Sequence, residues 1–582
     1  MFYYSNEKNV QIVLALLKAN GIKKVIASPG ATNITVVASM QQDPFFEMYS
    51  CVDERSAAYM ACGMSAESGE PVVISCTGAT SSRNYMPGLT EAYYRKLPVI
   101  ALTSSKPRSE VGQLIAQVTD RSCPPKDVVL DSFNLQVVKD GADERDCVFK
   151  MNQALAAINR NGGGPIHINL ETTYSQDYSV KELPKFDTIQ YVTLCHAYPS
   201  MPKGKIGVFI GAHHKMKDEL TRLIDQFCGV YDAVVFSDMT SHYTGDYGYP
   251  SALVGMQQSH RSDVVNLDLL IHIGEISGDY STISLVSSAK QVWRVSEDGI
   301  LKDTFKRLTC MFHMTEQQFF HHYVDGQDGI SKHTFLDACK EEYENLYHSI
   351  PEDLPFSNLW IAKKTIPRLP HDSILYTGIL NSLRCWDAFA LPKTVSGDSN
   401  VGGFGIDGGV STLVGASLVH PKRLCFGVFG DLASFYDINV LGNRHVGNNV
   451  RIMIINNGRG CEFRIYNHPG AMFGEDTDKY ISAAGHNGNQ SSCLLKHIAK
   501  DLGYRYLSAS NKADFMNALL VFVDPKVSDS LVLECFTTPQ DESDALYAIE
   551  HIARPQGCEA VKELAKNILG NKGIGLLKKV IK

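Results

Sequence analysis

The apolar run ArgLeuCysPheGlyValPheGly (423–430) is followed at once by Asp431-Leu432-Ala433-Ser434, and the next apolar run, ValArgIleMetIleIle (450–455), by Asn456-Asn457-Gly458. Each run reads as a buried strand, and the segment between them has room for a helix. Asp431 then lies at the carboxyl end of its strand, where open α/β sheets bind ligands. Asn457 follows the neighbouring strand and can add an amide oxygen. The backbone carbonyl of Arg459 could be a third ligand. Such hard oxygens suit magnesium, which takes its remaining ligands from water and phosphate. The turn Leu432-Ala433-Ser434 enters a helix whose free N–H groups can receive a diphosphate. Gly-Asp alone marks a turn and Asn-Asn-Gly alone a loop. Strand, Gly-Asp, helix, strand and Asn-Asn in that order are much more specific.

The same alternation runs outward along the chain. Near the start, Glu7 to Ala19 reads as a helix, with Val10, Val13, Leu14 and Leu17 on its apolar face. Strands follow at 24–27, 46–52, 71–77, 97–103 and 164–170, with helices between them, one of them running from Gly78 through Ala92. Residues 174 to about 203 are polar and carry Pro184, Pro199 and Pro202, so they read as a linker. A second unit has strands at 205–211, 232–237, 268–274 and 291–295, and a charged helix at 332–348. The third adds strands at 373–377 and 530–535. Strands alternating with helices imply parallel sheets covered on both faces. The expected fold is therefore α/β, with three domains, 1–185, 186–350 and 351–582, each around a mostly parallel sheet. The tail after Ile549 reads as a mildly basic helix.

The chain has 582 residues, 44% of them hydrophobic and 20% charged, and a net charge of -8. That balance argues against nucleic acid or an anionic membrane as the main partner. The 15 cysteines include no Cys-x-x-Cys pair, which suits reduced thiols in a cytoplasmic protein. Lys8 and Lys18 bracket a short apolar stretch without a small-residue cleavage site, so no signal peptide is expected. No segment offers about 18 uninterrupted apolar residues for a membrane span.

A second segment, Val52-Asp53-Glu54-Arg55-Ser56, places a carboxylate where a helix begins. An acid in the first turn is ordinarily there for the helix dipole. If buried beside an aminopyrimidine ring, it would have a raised pKa and could share a proton with the ring nitrogen. Paired with the diphosphate site, this points to thiamine diphosphate gripped at its two ends. GlyIleAspGlyGly (405–409) and ValPheIleGlyAlaHisHis (208–214) lack the full dinucleotide fingerprint, so neither NAD nor flavin is expected.

The motifs IASPGATN (26–33), DERSAAYMACGMS (53–65), CTGATSSRNYMPGLTEAYYRKLPVIALTSSKP (76–107), GIDGGVSTLVGAS (405–417) and GDLASFYDINVL (430–441) extend the comparison along the chain. With them the chain resembles the thiamine-diphosphate-dependent decarboxylase and carboligase superfamily. Within it, its motifs are closest to those of the menaquinone-pathway 2-succinyl-5-enolpyruvyl-6-hydroxy-3-cyclohexene-1-carboxylate synthases, which join 2-oxoglutarate to isochorismate. The resemblance implies pyrimidine and diphosphate domains flanking a central Rossmann-like domain. It implies that Glu54 activates the aminopyrimidine, with Gln117 and Ser382 facing the reacting centre. Ser28, Pro29, Gly30, Thr77 and Gly78 would line the pyrimidine side. Gly405 and Ile406 would shape the cofactor, and Gly430, Asp431, Leu432, Ala433 and Asn457 would hold its diphosphate. Asp431, Asn457 and the Arg459 carbonyl would bind the magnesium ion.

The resemblance departs at the substrate arginines. Ala31-Thr32-Asn33 stands where the synthases carry Ser-Arg-Ser, Asn400-Val401-Gly402 where they carry Asn-Arg-Gly, and Trp386 or Cys385 near a third arginine position. Arg83, Arg121, Arg384 and Arg464 are other candidates to bind an anionic substrate, and His468 and His486 to act as acid or base. The expected reaction is decarboxylation of a 2-oxo acid, with the resulting enamine joined to a carbonyl or alkene acceptor. Alternatives are the menaquinone-pathway reaction itself, simple decarboxylation (of phosphono- or sulfo-substituted acids included), and a non-catalytic regulator on the same fold. The cofactor of this superfamily lies between two chains, so a homodimer or homotetramer is implied.

Overall fold

The computed structural model describes residues 3–259, 261–327, 332–486 and 490–553. Among the described residues eighteen strands form three six-stranded sheets. The first contains β1 (Lys24–Ala27), β2 (Glu47–Ser50), β3 (Val72–Thr77), β4 (Val99–Ser105), β5 (Ser132–Leu135) and β6 (Ile166–Glu171), in the order β2-β1-β3-β4-β6-β5. The second contains β7 (Gln190–Val192), β8 (Ile206–Ile210), β9 (Val234–Ser237), β10 (Leu269–Ile273), β11 (Val292–Ser296) and β12 (Leu308–His313), in the order β7-β12-β11-β10-β8-β9. The third contains β13 (Ile374–Thr377), β14 (Ser396–Ser399), β15 (Cys425–Gly430), β16 (Val450–Asn456), β17 (Arg505–Ala509) and β18 (Leu531–Phe536), in the order β14-β13-β15-β16-β18-β17.

In the first and third sheets every pairing is parallel. Parallel neighbours need crossovers, and the crossover helices bury both faces of the sheet. This is why β4 and β16 are buried at every position and read as apolar runs without alternation. The elements gather into two compact units. One takes the chain to Tyr198 and adds Ser296–Met314; the other takes Pro199–Val295 and continues from Thr315. Most of the described cysteines are buried and none is paired. Among the described residues no helix is long and apolar enough to cross a membrane.

Three details differ from the sequence reading, and a fourth expectation falls outside the described residues. The linker at 174–203 contains β7, whose Gln190, Tyr191 and Val192 pair in parallel with Cys310, Met311 and Phe312. β5, β12, β14 and β17 also went unread. β14 is Ser-Gly-Asp-Ser and β17 is a half-exposed edge strand, so neither carries an apolar run. The helix expected through Ala92 is two helices, Thr80–Asn84 and Met86–Arg95, the second with Pro87 in its first turn. The expected basic tail falls almost wholly on residues 554–582, outside the described residues.

One helix pair sets the position of Glu54. The helix Glu54–Ser68 starts with the Asp53 carboxylate accepting from the Arg55 N–H at 3.0 Å and ends at Gly69, in the left-handed region at φ 68°. It packs against Met86–Arg95 through Gly88. A Cβ on Gly88 would lie 2.4 Å from the Ala58 Cβ and 3.0 Å from the Tyr59 backbone nitrogen. No flexible side-chain end can yield there, so the helices must separate. Gly88→Val is expected to destabilise the protein by about 1–3 kcal/mol, read as a lowered thermal unfolding midpoint.

Candidate active site

The third sheet brings the expected diphosphate residues to one edge. β14, β13, β15 and β16 are neighbours in that order and parallel, so their carboxyl ends lie side by side. The segment holding Gly405 and Ile406 follows β14, the helix holding Ser382 follows β13, Asp431 follows β15 and Asn457 follows β16. Asp431 is 2% exposed. Its Oδ1 accepts from the Leu432 N–H at 2.9 Å and its Oδ2 from the Gly458 N–H at 3.0 Å. The second bond ties the turn after β15 to the turn after β16. Gly458 adopts φ 83°, which favours glycine. Burial pushes the Asp431 carboxyl up to about 6, and it has no cationic partner among the described residues.

Beside it, the Asn457 Oδ1 is buried without a hydrogen-bond partner. An orphaned buried acceptor calls for an explanation, and an unplaced ion is one. A carboxylate and an amide oxygen, both lacking a protein cation, are the donor set magnesium takes. Among the described residues no three His, Cys, Asp or Glu side chains gather as a metal cluster. A site completed by a backbone carbonyl, as expected of Arg459, needs none. The position of Gly430 is open, since a Cβ there would meet nothing within 4 Å. Leu432 and Ala433 follow half-buried in the turn. Ile406 remains 37% exposed, an apolar side chain without a cover, next to the exposed Gly405. Ser382 is buried in the helix Asn381–Asp387.

Two residues that sequence reasoning missed hold this turn. Asn456 Nδ2 donates to Glu534 Oε1 at 2.7 Å, and Tyr506 donates its hydroxyl to Glu534 Oε2 at 2.7 Å. Asn456 Oδ1 in turn accepts from the Gly458 N–H at 3.2 Å. The available signal was the single acid in the apolar strand SerLeuValLeuGluCys (530–535). A charge there needs a partner.

The first sheet does the same for the pyrimidine residues. β2, β1, β3 and β4 are parallel neighbours. Glu54 follows β2, Ser28-Pro29-Gly30 follows β1, and Thr77-Gly78 closes β3. Gly30 is tightly placed, because a Cβ there would lie 2.6 Å from the Thr77 Cβ. Thr32 donates its hydroxyl to the Ser104 carbonyl at 2.6 Å and lies beside the Thr77 hydroxyl. The Ser28 hydroxyl is buried without a partner, while Pro29 is exposed. Glu54 is half-buried rather than buried, and its Oε2 accepts from the Asn84 side-chain N–H at 3.3 Å. Its surroundings in one chain are therefore incomplete. Exposed Val52, Tyr59 and Met60 lie on the same turn and helix. Gln117 is exposed at φ 67°, backbone a non-glycine residue adopts rarely.

Residues 8–123 match the family model described as thiamine pyrophosphate enzyme, N-terminal TPP binding domain. That stretch is thus similar to the N-terminal domain of thiamine pyrophosphate enzymes. The chain is 27% identical over 569 residues to a 2-succinyl-5-enolpyruvyl-6-hydroxy-3-cyclohexene-1-carboxylate synthase of Bacteroides fragilis, covering 94% of this chain and 99% of that one. It is 28% identical over 570 residues to the synthase of the same name from Bacteroides thetaiotaomicron, with the same coverage. A third, from Desulfotalea psychrophila, is 27% identical over 540 residues, covering 90% of this chain and 96% of that one.

Against that thiamine-diphosphate background, several candidate substrate residues have other work. Arg384 meets Glu462 with both nitrogens, at 2.9 and 3.3 Å. Arg464 holds Asp478 at 2.9 Å, and the Arg459 guanidinium holds the same carboxylate. Arg83 is exposed and donates to the Asp120 carbonyl at 3.0 Å. His468 Nδ1 accepts from the Gly470 N–H at 3.0 Å and caps the turn that follows. His486 is exposed.

Proposed function

We propose that this chain binds thiamine diphosphate with magnesium, decarboxylates a 2-oxo acid and joins the remaining fragment to an acceptor. The observation that carries this reading is the buried Asp431 carboxylate, fixed by the Gly458 N–H beside the unpartnered Asn457 Oδ1. When bound, the cofactor supplies the electron sink that lets a 2-oxo acid lose carbon dioxide. The chain's own residues hold and orient. Asp431, Asn457 and the Arg459 carbonyl take the metal. Gly430, Leu432 and Ala433 receive the diphosphate, and Gly405 and Ile406 support the cofactor between its rings. Glu54 holds a proton at the pyrimidine ring nitrogen. Gln117 and Ser382 face the substrate. In this reading residues 1–185 form the pyrimidine domain, 186–350 the central domain and 351–582 the diphosphate domain.

The working unit in this proposal is a homodimer or a tetramer, with each cofactor shared by two chains. Supporting it, the Glu54 side exposes Val52, Tyr59 and Met60, and the segment after Asn457 exposes Met472, Phe473 and Tyr480. Exposed apolar groups of this kind mark surfaces that another chain covers.

The test is carbon dioxide release from a panel of 2-oxo acids by protein supplied with thiamine diphosphate and magnesium. Release from at least one acid is expected, and it should stop on chelation of the metal. A second reading is the menaquinone-pathway reaction, favoured by the names of the relatives along nearly the whole chain. Consumption of 2-oxoglutarate only when isochorismate is present would select it.

A further inference from the structure

The guanidinium groups divide by their partners, with exposed Arg83 bonded to the Asp120 carbonyl. Arg384, Arg459 and Arg464 each hold a carboxylate of this chain. Arg121 forms no ion pair among the described residues. Its Nη2 donates to Asn169 Oδ1, and its Nη1 is buried with no hydrogen-bond partner. A guanidinium is charged at neutral pH, and leaving it half-buried without a counter-charge is unfavourable. Burial pulls its pKa below the ordinary arginine value, and the nearby Arg83 adds to the effect. No carboxylate among the described residues pairs with it. A bound anion would.

The surroundings locate the anion. The guanidinium lies at the carboxyl ends of β3, β4 and β6, the ligand-binding edge of a parallel sheet. A Cβ built on Gly78 would lie 3.2 Å from Arg121 Nη1 and 3.3 Å from the Ser104 carbonyl oxygen. Gly78 belongs to the turn proposed for the cofactor's pyrimidine side. Next to the guanidinium opens a cavity of about 260 Å³, lined by Arg108, Arg121, Ser105, Asn134 and Asn169 among others. Two further charges lie on its wall: Lys150 is paired with Asp146 at 2.6 Å, while the Asp120 carboxylate accepts from the Ser122 hydroxyl at 2.6 Å and keeps its negative charge, with Arg108 and Arg83 near it.

A second cavity of about 330 Å³ shares Arg121 and is mostly apolar, with Tyr85, Met86, Leu89 and Val128 on its wall. His167 borders it too. Its two nitrogens lie 2.8 Å from the Thr103 and Ser132 hydroxyls. Burial, helped by Arg121, holds its pKa at about 3, so it is neutral and offers the anion no rival charge.

We propose that Arg121 is the anion receptor of this site and takes a carboxylate of the acid substrate, with Asn169 orienting its guanidinium. Calling that anion the substrate rests on the proposed function; the anion site itself does not. The probe is succinate, a dicarboxylate with no 2-oxo group and therefore no turnover. Calorimetric titration into the cofactor-loaded wild type should show saturable binding. Arg121→Gln should weaken it about tenfold or more, because the charge-assisted pair is lost. Arg121→Lys should weaken it about threefold or more, because charge remains but the planar fork does not. Arg384→Gln should leave it within about twofold, since that guanidinium is spent on Glu462. Equal succinate affinity in the wild type and either Arg121 variant overturns the proposal, as does no binding to the wild type. If Arg121→Gln fails to fold, the lysine variant decides. Titrating thiamine diphosphate into the same preparations separates the two readings. Cofactor binding with succinate affinity indifferent to Arg121 removes only the anion assignment. Arg121-dependent succinate binding in a protein that takes no cofactor removes only the cofactor reading.

Discussion

Asp431→Ala is expected to lower the magnesium-dependent affinity for thiamine diphosphate by more than about a hundredfold while the protein stays folded. Loss of a mere supporting group around a metal typically costs about 10- to 100-fold, and Asp431 is the only carboxylate proposed as a ligand. The substitution also removes the acceptor for the Gly458 N–H, which holds the Asn457 turn against the turn after β15. Both protein side-chain ligands are therefore disturbed by one change. Quenching of intrinsic fluorescence on adding cofactor and magnesium reads the loss, and circular dichroism checks the fold. Retained affinity would place the metal elsewhere.

The second large effect is at Glu54. Glu54→Gln keeps the shape of the side chain and can still accept from Asn84. It cannot give up or take a proton at the pyrimidine ring. Turnover should fall by about 10²- to 10⁴-fold, the usual range for losing a positioned proton-transfer group, with cofactor affinity little changed. Carbon dioxide release at saturating cofactor measures it. Turnover at the wild-type rate would return Glu54 to an ordinary first-turn acid favoured by the helix dipole.

The legible parts of this chain are those that short-range pattern determines. The central strands read plainly because both faces are buried, so their residues do not alternate. Asp431 and Asn457 were legible because each directly follows such a run. β7 and β14 were not, because three or four residues are too few to carry a period to detect, and β14 has no apolar run at all. The partners of the arginines were hidden for a different reason. Arg384 meets Glu462 across 78 positions of sequence, and only packing brings them together. A guanidinium that looked available for substrate is neutralised there, while Arg121, no different in sequence, has no counter-charge among the described residues. Glu54 shows a further limit. Its helix start was readable, but one chain leaves it half-buried, so its full environment depends on what covers that face.

The central claim is that the edge holding Asp431 and Asn457 takes a magnesium-bound diphosphate. Calorimetric titration of thiamine diphosphate into the wild-type protein, once with magnesium and once with a chelator, tests it most directly. Saturable binding with magnesium and its loss on chelation is the predicted result. Absence of binding in both, or equal binding in both, would contradict the account.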